Sequence, residues 1–313
     1  MRSIVTLTVN PAVDESASVD YVVSDSKLRC SAPRYEPGGG GLNVARVIVR
    51  LGGEAIALYT AGGPSGRLLG DLLDAERVPR LEVPIVEWTR RNLNVREDAI
   101  GRQGRQYRFV FPGPLLHEEE WRLCLESLRR LRPAPEFIVA SGSLPPGVPA
   151  DFYARVAAIA REAEARFVLD SSGEPLRLAL EKGVYLFKPS LREFQQVTGT
   201  EARDEVDLTE AARTLIGAGR CAVVVVSLGE RGALWVTASE QERVPAPAVP
   251  VASVVGAGDA MVAGIVLSLA RGGSLRESVL FGVAAAAATV MNPGTQLCRR
   301  EDVERLLERL RAA

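Results

Sequence analysis

The 313-residue sequence predicts an α/β protein with a mostly parallel central sheet flanked by helices. Short apolar runs alternate with helix-period stretches along most of the chain, in the order that β-α-β units produce. Some of these runs are continuous and β-branched, such as the four valines at 223–226, which is typical of strands covered on both faces. The length is sufficient for one large domain with at most a small appendage.

The predicted elements follow one another without a repeat or a linker. Strands are predicted at residues 4–9, 55–59, 137–140, 167–169, 184–187 and 222–226. Helices are predicted between them at 43–51, 118–131, 151–163 and 208–218, and three successive helices follow at 258–270, 275–291 and 301–310. We therefore predict a single domain over residues 1–313.

Two segments, 13–35 and 88–111, break this rhythm. Polar and apolar residues alternate in them, as at 93–96 and 106–110, which is typical of half-exposed antiparallel strands. We predict that the two segments pair into a small β-sheet lid beside the mouth of the main sheet. Such a lid would leave an exposed strand edge, and a homodimer joined through the lids is the simplest way to cover it.

Composition argues against several classes of protein. The net charge is −1 and no basic stripe occurs, so we expect no nucleic-acid partner. Four scattered cysteines and one histidine cannot form a zinc site. No apolar run is long enough to span a membrane, and the N-terminus has no signal-peptide core. We therefore expect a soluble, cytoplasmic protein without a membrane partner.

A glycine-rich turn near the C-terminus contains the first candidates for chemistry. Gly256, Ala257 and Gly258 precede Asp259 at a predicted helix start, where free amides and the helix dipole favour an anion. The turn alone leaves two interpretations open. Asp259 could be an ordinary first-turn carboxylate, or it could be a base beside a bound phosphate.

A second glycine cluster, at residues 38–41, lies between a strand-like segment and the helix that contains Asn43. Its backbone could approach a ligand closely, and Asn43 could cap the helix or bond that ligand. The chain has neither a P-loop nor a G-x-G-x-x-G fingerprint. Their absence argues against P-loop and dinucleotide chemistry, including that of a dehydrogenase.

The two glycine motifs, at 37–46 and 255–259, resemble the two signatures of the PfkB (ribokinase-like) carbohydrate kinases. The resemblance extends across nearly the whole chain and is closest to the branch of minor bacterial 6-phosphofructokinases, through the segments 27–30, 88–90, 141–147, 170–174 and 292–295. It implies the ribokinase fold with a lid, Mg-ATP as phosphoryl donor, and transfer of the γ-phosphate to a hydroxymethyl group.

The same resemblance implies roles at the acceptor site. Asp259 would be the proton acceptor, and the amides of Gly256, Ala257 and Gly258 would form the anion hole. Sugar hydroxyls would be bound by Asp14, Gly39, Asn43 and Ser143. Arg90 would hold the sugar phosphate as a planar fork, with help from Arg108 and from Arg29 of the partner's lid. Arg29 and Arg108 could instead be solvated lid residues.

Roles at the nucleotide site follow from the resemblance in the same way. ATP would contact Lys188, Ser190, Ser227, Gly229 and Gly232. Lys27 could reach a nucleotide phosphate or could be a lid residue without a role. Ser190 stands where the family pattern has asparagine, although a hydroxyl can still bond a phosphate. Glu193 would bind Mg²⁺ through water. A monovalent cation, K⁺, would lie near Ser253, Val255, Asn292 and Gly294.

The implied reaction converts ATP and D-fructose 6-phosphate into fructose 1,6-bisphosphate and ADP. Fructose 1-phosphate and tagatose 6-phosphate are alternative acceptors, but kinases for those sugars resemble Gly-Gly-Lys-Gly in the first motif, and this chain has no lysine there. A non-catalytic sugar-phosphate or nucleotide sensor is an alternative of another class. The presence of both Asp259 and Glu193 argues against a sensor.

Overall fold

The structure is a computed structural model that describes residues 3–98, 105–202 and 204–312. Its strands are β1 (Ile4–Thr8), β2 (Ala12–Val19), β3 (Arg34–Gly38), β4 (Ile56–Ala61), β5 (Arg80–Pro84), β6 (Arg90–Glu97), β7 (Gln106–Phe109), β8 (Phe137–Ser141), β9 (Arg166–Asp170), β10 (Val184–Phe187), β11 (Cys221–Ser227), β12 (Ala233–Val236) and β13 (Gln241–Val244). Its helices are α1 (Gly40–Arg50), α2 (Gly63–Ala75), α3 (Glu118–Arg130), α4 (Phe152–Glu162), α5 (Gly173–Lys182), α6 (Leu191–Thr198), α7 (Glu205–Gly217), α8 (Ala257–Ala270), α9 (Leu275–Val290) and α10 (Arg300–Ala312).

The main sheet has nine strands in the order β13-β12-β11-β10-β9-β8-β1-β4-β5. Every pairing from β11 to β5 is parallel, and only β12 and β13 join the sheet antiparallel. All five residues of the interior strand β1 are buried, because helices cover both faces of the sheet. The mostly parallel, helix-flanked sheet predicted from the sequence is therefore confirmed.

A second sheet of four strands, in the order β3-β2-β6-β7, comes from the two segments predicted to form a lid. The strands pair antiparallel at both edges, but β2 and β6 at the centre run parallel. The prediction of antiparallel strands was therefore wrong for this central pair, because the strands come from separate segments and no hairpin forces them to reverse direction. Residues 99–104 of the predicted lid lie outside the described residues.

The two faces of the small sheet differ in polarity. Asp14 pairs with Asn92, and Asn94 with Arg108, so these polar side chains share one face. Apolar side chains alternate with them on the other face, for instance where Leu93 pairs with Phe109. No helix among the described residues is both long and apolar enough to cross a membrane.

Candidate active site

Asp259 lies in the first turn of α8, at the carboxyl-end edge of the parallel strands where α/β sheets bind ligands. The helix begins after Gly256, whose φ of 77° belongs to the left-handed region that favours glycine. The Asp259 carboxylate accepts hydrogen bonds from Asn43 Nδ2 at 3.0 Å and from Ser141 Oγ at 3.1 Å. It is therefore fixed by α1 and by the end of β8.

The environment of Asp259 favours the protonated carboxyl. Burial raises the pKa of Asp259 to about 7, and the negative charge of Asp170 acts in the same direction. The hydrogen bonds from Asn43 and Ser141 and the positive charge of Lys188 oppose this rise. A carboxyl group with a pKa near 7 is suited to exchange a proton at neutral pH.

The glycine cluster at residues 38–41 brings two acidic residues to the same site. A Cβ atom on Gly38 would lie 2.6 Å from the Asp14 carboxylate. One on Gly40 would lie 2.1 Å from Ser141 Oγ and 3.0 Å from Asp259 Oδ1. Side chains at these positions would displace both carboxylates, so the cluster needs glycine for close approach.

The start of α1 corrects one expectation about the glycine cluster. Gly39, with φ of 118°, is the residue before the helix, and α1 begins at Gly40 rather than Asn43. Asn43 therefore lies one turn inside the helix and does not cap it. Its side chain is buried and bonded to Asp259.

Asp14 lies on the polar face of the small sheet and is buried. Burial raises its pKa, although the hydrogen bond from Asn92 at 2.8 Å and the charges of Arg46, Arg108 and Arg90 act against this rise. An acceptor close to several guanidinium groups suits a ligand with both hydroxyl and anionic groups.

Arg90 is half-buried beside Asp14, at the start of β6. Its guanidinium donates to the backbone carbonyl oxygens of Asn10 and Phe111, both at 3.0 Å, and of Pro11 at 3.4 Å. Burial lowers its pKa. Ser143 is linked to the same loop, because its Oγ accepts from Asn10 Nδ2 at 3.0 Å. The structure thus brings Asp14, Arg90 and Ser143 to one region.

Lys188 connects the base to the predicted nucleotide site. It is buried directly after β10, and its Nζ lies 3.4 Å from Asp170 Oδ2 at the end of β9. A Cβ atom on Gly258 would lie 3.4 Å from the same Nζ. Lys188 therefore packs against the N-terminus of α8, where Ala257 N makes only a long 3.4 Å turn hydrogen bond to Val254 O.

The remaining predicted nucleotide residues follow β10 and β11. Ser190 and Glu193 form a capping box at the start of α6, in which Ser190 Oγ donates to Glu193 Oε2 at 2.8 Å. Ser227 N bonds Pro189 O at 2.8 Å, which places Ser190 and Ser227 side by side. Gly229 and Gly232 bound the tight turn that follows. The Ser190 hydroxyl is thus already engaged within the protein.

The residues predicted to hold a monovalent cation are partly brought together. Ser253 Oγ donates to Gly294 O at 2.7 Å and accepts from Val255 N at 3.3 Å. The Asn292 side chain turns back into α9, where Nδ2 donates to Ala288 O at 2.9 Å.

Three predicted site residues lie away from the cluster around Asp259. Lys27 and Arg29 are exposed in the connection between β2 and β3, and Arg108 is exposed on β7. Sequence reasoning assigned no role to Ser141 and Asp170, which the structure places next to the base. Both end a parallel strand, and that position was the signal that could have identified them.

Comparison with known proteins agrees with this geometry. A family model described as pfkB family carbohydrate kinase matches residues 7–302. The chain belongs to the pfkB family of carbohydrate kinases. The protein described as ATP-dependent 6-phosphofructokinase isozyme 2 from Mycobacterium tuberculosis is 49% identical over 97% of this chain and 89% of its own length. The protein of the same description from Escherichia coli is 42% identical over 98% of both chains.

Solved structures agree with the fold as well. The phosphofructokinase-2 of Escherichia coli in complex with potassium has a TM-score of 0.94 and 42% identity, and it covers 99% of this chain and 100% of its own. The same protein in complex with fructose-6-phosphate has a TM-score of 0.92 at 40% identity, with the same coverage. Ribokinase of Arabidopsis thaliana, at 20% identity and a TM-score of 0.77 over 98% of this chain and 99% of its own, shares the fold. The predicted family and the ribokinase-like fold are confirmed.

Proposed function

We propose that this kinase is an ATP-dependent 6-phosphofructokinase that phosphorylates the 1-hydroxyl of D-fructose 6-phosphate. The observation on which the proposal depends is the Asp259 carboxyl, which has a pKa near 7, lies in the first turn of α8 and is bonded to Asn43 and Ser141. The identity to relatives described as 6-phosphofructokinase isozyme 2 supports the choice of acceptor.

Asp259 is the general base in this proposal. It takes the proton of the 1-hydroxyl while the sugar oxygen attacks the γ-phosphorus of ATP, and ADP leaves from the opposite side. Amides at the start of α8, those of Ala257 and Gly258 among them, stabilise the charge on the transferred phosphoryl group. Lys188, beside Gly258, supplies a positive charge at the same place.

The acceptor is held by the small sheet and the glycine cluster. Sugar hydroxyls exchange hydrogen bonds with Asp14, Gly39, Asn43 and Ser143. Arg90 holds the 6-phosphate, since a guanidinium can bind phosphate in a bidentate manner. Closure of the small sheet over this site would exclude water, which could otherwise accept the phosphoryl group.

The acidic groups around Lys188 fit a magnesium ion bound to ATP. Asp170 lies 3.4 Å from Lys188, and Glu193 is close enough to raise the pKa of Asp170. Mg²⁺ commonly uses one or two carboxylates together with substrate phosphates. We assign Asp170 and Glu193 to hold it, Glu193 through water, and the ion would neutralise phosphate charge. Lys188, Ser190, Ser227, Gly229 and Gly232 line the proposed ATP site, with Lys27 as a further contact.

We also propose a K⁺ site at the loop where Ser253 and Gly294 meet, with backbone oxygens of Val255 and Asn292 as further ligands. The potassium complex of the Escherichia coli relative supports this assignment. The contact between Ser253 Oγ and Gly294 O brings two oxygen atoms together that could both be ligands of a hard cation.

The small sheet is the proposed surface of self-association. Its apolar face and the adjoining segment expose large side chains, namely Trp88, Phe109, Val110 and Phe111. A homodimer joined there would cover them and would bring Arg29 of each protomer toward the partner's site. A tetrameric inhibited form is described for the Escherichia coli relative, which supports self-association of this chain.

A coupled ADP-release assay tests the acceptor. Initial rates with ATP and Mg²⁺ are compared over fructose 6-phosphate, fructose 1-phosphate, tagatose 6-phosphate and ribose, with Asp259→Asn as the matched blank. We expect the highest kcat/KM for fructose 6-phosphate. A preference for fructose 1-phosphate or tagatose 6-phosphate would reject fructose 6-phosphate as the acceptor. Activity confined to ribose would reject the role of Arg90. ATP binding without turnover on any sugar would favour a sensor.

A further inference from the structure

A fully buried arginine, Arg46, lies one turn after Asn43 on α1 and has no role in the proposed reaction so far. Its Nη1 donates to Asn43 Oδ1 at 3.0 Å and to Pro37 O at 2.7 Å. Its Nε and Nη2 bind the Glu76 carboxylate, at 3.1 and 2.6 Å. A guanidinium is costly to bury unless its donors are paired, and here Glu76, Asn43 and Pro37 O pair all three nitrogens of Arg46.

The contacts of Arg46 decide which way the Asn43 amide points. A guanidinium group can only donate hydrogen bonds, so the oxygen of the amide must face Arg46. The NH₂ group must then face the Asp259 carboxylate, to which it donates at 3.0 Å. If Arg46 were absent, only the Asp259 carboxyl group would hold the amide in this orientation, and the base would lose a rigidly fixed donor.

We propose that Arg46 is a positioning residue for the base, which acts by fixing the Asn43 amide so that it donates to Asp259. The Asp259 carboxylate is thereby oriented by two donors, Asn43 Nδ2 and Ser141 Oγ, on different oxygens. Arg46 also bonds the backbone at Pro37, next to the glycine cluster, so it ties the base to the strand that leads into the acceptor site.

The inference rests on the proposed role of Asp259, and it differs from a purely structural role in one measurable way. A structural arginine would be equally necessary whatever residue stands at position 43. A positioning arginine that acts through Asn43 loses its effect once the Asn43 side chain is removed. A double-mutant cycle separates these cases, because it measures the coupling between two side chains.

The experiment compares kcat at saturating ATP and fructose 6-phosphate for Arg46→Met, Asn43→Ala and the double variant. We expect Arg46→Met to lower kcat by roughly 10-fold or more, since small misplacement of a catalytic group can cost up to about 10²-fold. In the Asn43→Ala background the same substitution should change kcat by less than about 2-fold. The KM for ATP should stay unchanged in all three variants.

Arg50→Met is the matched control. Arg50 lies on the same helix and binds the same Glu76 carboxylate at 3.0 Å, and its other described hydrogen bond goes to Leu297 O. Its loss should leave kcat near the wild-type value. Should Arg46→Met fail to fold, Arg46→Lys serves instead, because a lysine can pair with Glu76 but lacks the planar fork whose separate nitrogens reach Glu76, Asn43 and Pro37 O together.

Equal losses from the Arg46 substitution in both backgrounds, or wild-type kcat in Arg46→Met or Arg46→Lys, would overturn the inference. Asp259→Asn is assayed alongside to separate the two levels. If Asp259→Asn turns over normally, the base itself is rejected. If Asp259→Asn is inactive and the losses at positions 46 and 43 simply multiply, only the positioning role of Arg46 is rejected.

Discussion

The base end of the main sheet and the small sheet hold most of their candidate residues differently, although Asp14 on the small sheet is buried and bonded to Asn92. Around Asp259, polar side chains are already bonded to one another: Asn43 and Ser141 donate to the carboxylate, and Lys188 pairs with Asp170. On the small sheet, Arg108 and the connecting-segment residues Lys27 and Arg29 are exposed. Among the described residues, Arg90 bonds only backbone carbonyl oxygens.

This difference indicates a division of labour. Catalysis gains most from charges that are oriented before the substrate arrives, because no reorganisation is then needed during the reaction. Binding of a phosphorylated sugar gains from groups that close around it. We therefore expect substitutions at the base end to act on kcat and substitutions on the small sheet to act on KM or on assembly.

The largest effect is expected for Asp259→Asn. Removing the proton acceptor should lower kcat by ~10²-fold or more, in line with general-base contributions, and should leave the KM for fructose 6-phosphate close to wild type. Steady-state kinetics measure this directly. Near-wild-type turnover would show that the carboxyl is a helix-end residue without a chemical role.

Arg90→Ala is expected to act on the opposite parameter. Loss of a charge-assisted contact to phosphate should raise the KM for fructose 6-phosphate by roughly 10- to 100-fold, with a smaller change in kcat. Arg96→Ala, on the same strand but paired with Asp98 at 2.8 Å, is the control and should leave KM unchanged. If Arg90→Ala instead lowered kcat by a similar factor and left KM unchanged, the contrast between the two regions would be wrong.

A charge on the apolar face of the small sheet should affect assembly first. Phe109 is 48% exposed on this face, and Phe109→Asp should convert the oligomer into monomers, measured by light scattering on a sizing column. The KM for fructose 6-phosphate should rise about 10-fold, because Arg29 of the partner is lost. Val206→Asp, an exposed apolar position on α7, is the control. Monomeric wild-type protein would rule out the proposed interface.

The sequence predicted the fold where periodicity was strong. The valine run of β11 and the buried β1 were recognised because strands covered on both faces are apolar throughout. Helices α2 and α5 were missed. Each begins at a glycine and includes a proline within its first three residues, and such residues resemble a loop until packing fixes them. Strands β12 and β13, at one end of the main sheet, were also missed, because they pair antiparallel without a helix between them and so fall outside the β-α-β alternation.

The sequence predicted only those site residues that belong to a local motif. Asp259 and the glycine cluster stand out locally, but Ser141 and Asp170 gain their meaning from lying at the ends of neighbouring strands, which requires the strand order. The hydrogen bond between Asn43 and Asp259 joins residues 216 positions apart. No local pattern contains such a contact, so the sequence could not predict that Asn43 bonds the base, and the helix cap that it left open for Asn43 was wrong.

The acid limb of the pH profile should report the base. Asp259 must be ionised to accept a proton, so kcat/KM should fall as the pH drops below about 7, the raised pKa of Asp259 in the free enzyme. Ser141→Ala removes a donor that lowers this pKa. The acid limb should therefore move to higher pH in this variant, and kcat/KM at pH 8 should fall only a few-fold. If the acid limb does not move in Ser141→Ala, the limb reports the titration of a group other than Asp259.

The smallest effect is a gain of stability in Asp259→Asn. The pKa of Asp259 is about 7 in the folded protein and 3.8 for an unperturbed aspartate, so the folded state binds this proton more tightly. The stability that the proton provides is complete at low pH and is lost as the pH rises toward 7. An asparagine has no such loss, so the Tm difference in its favour should grow between pH 4 and 7 and then stay constant. We expect on the order of 2 °C at pH 8 by calorimetry. A lower Tm for the variant at pH 8 would mean that the ionised carboxylate stabilises the fold. It would contradict the expectation that a buried base lowers the stability of the folded protein.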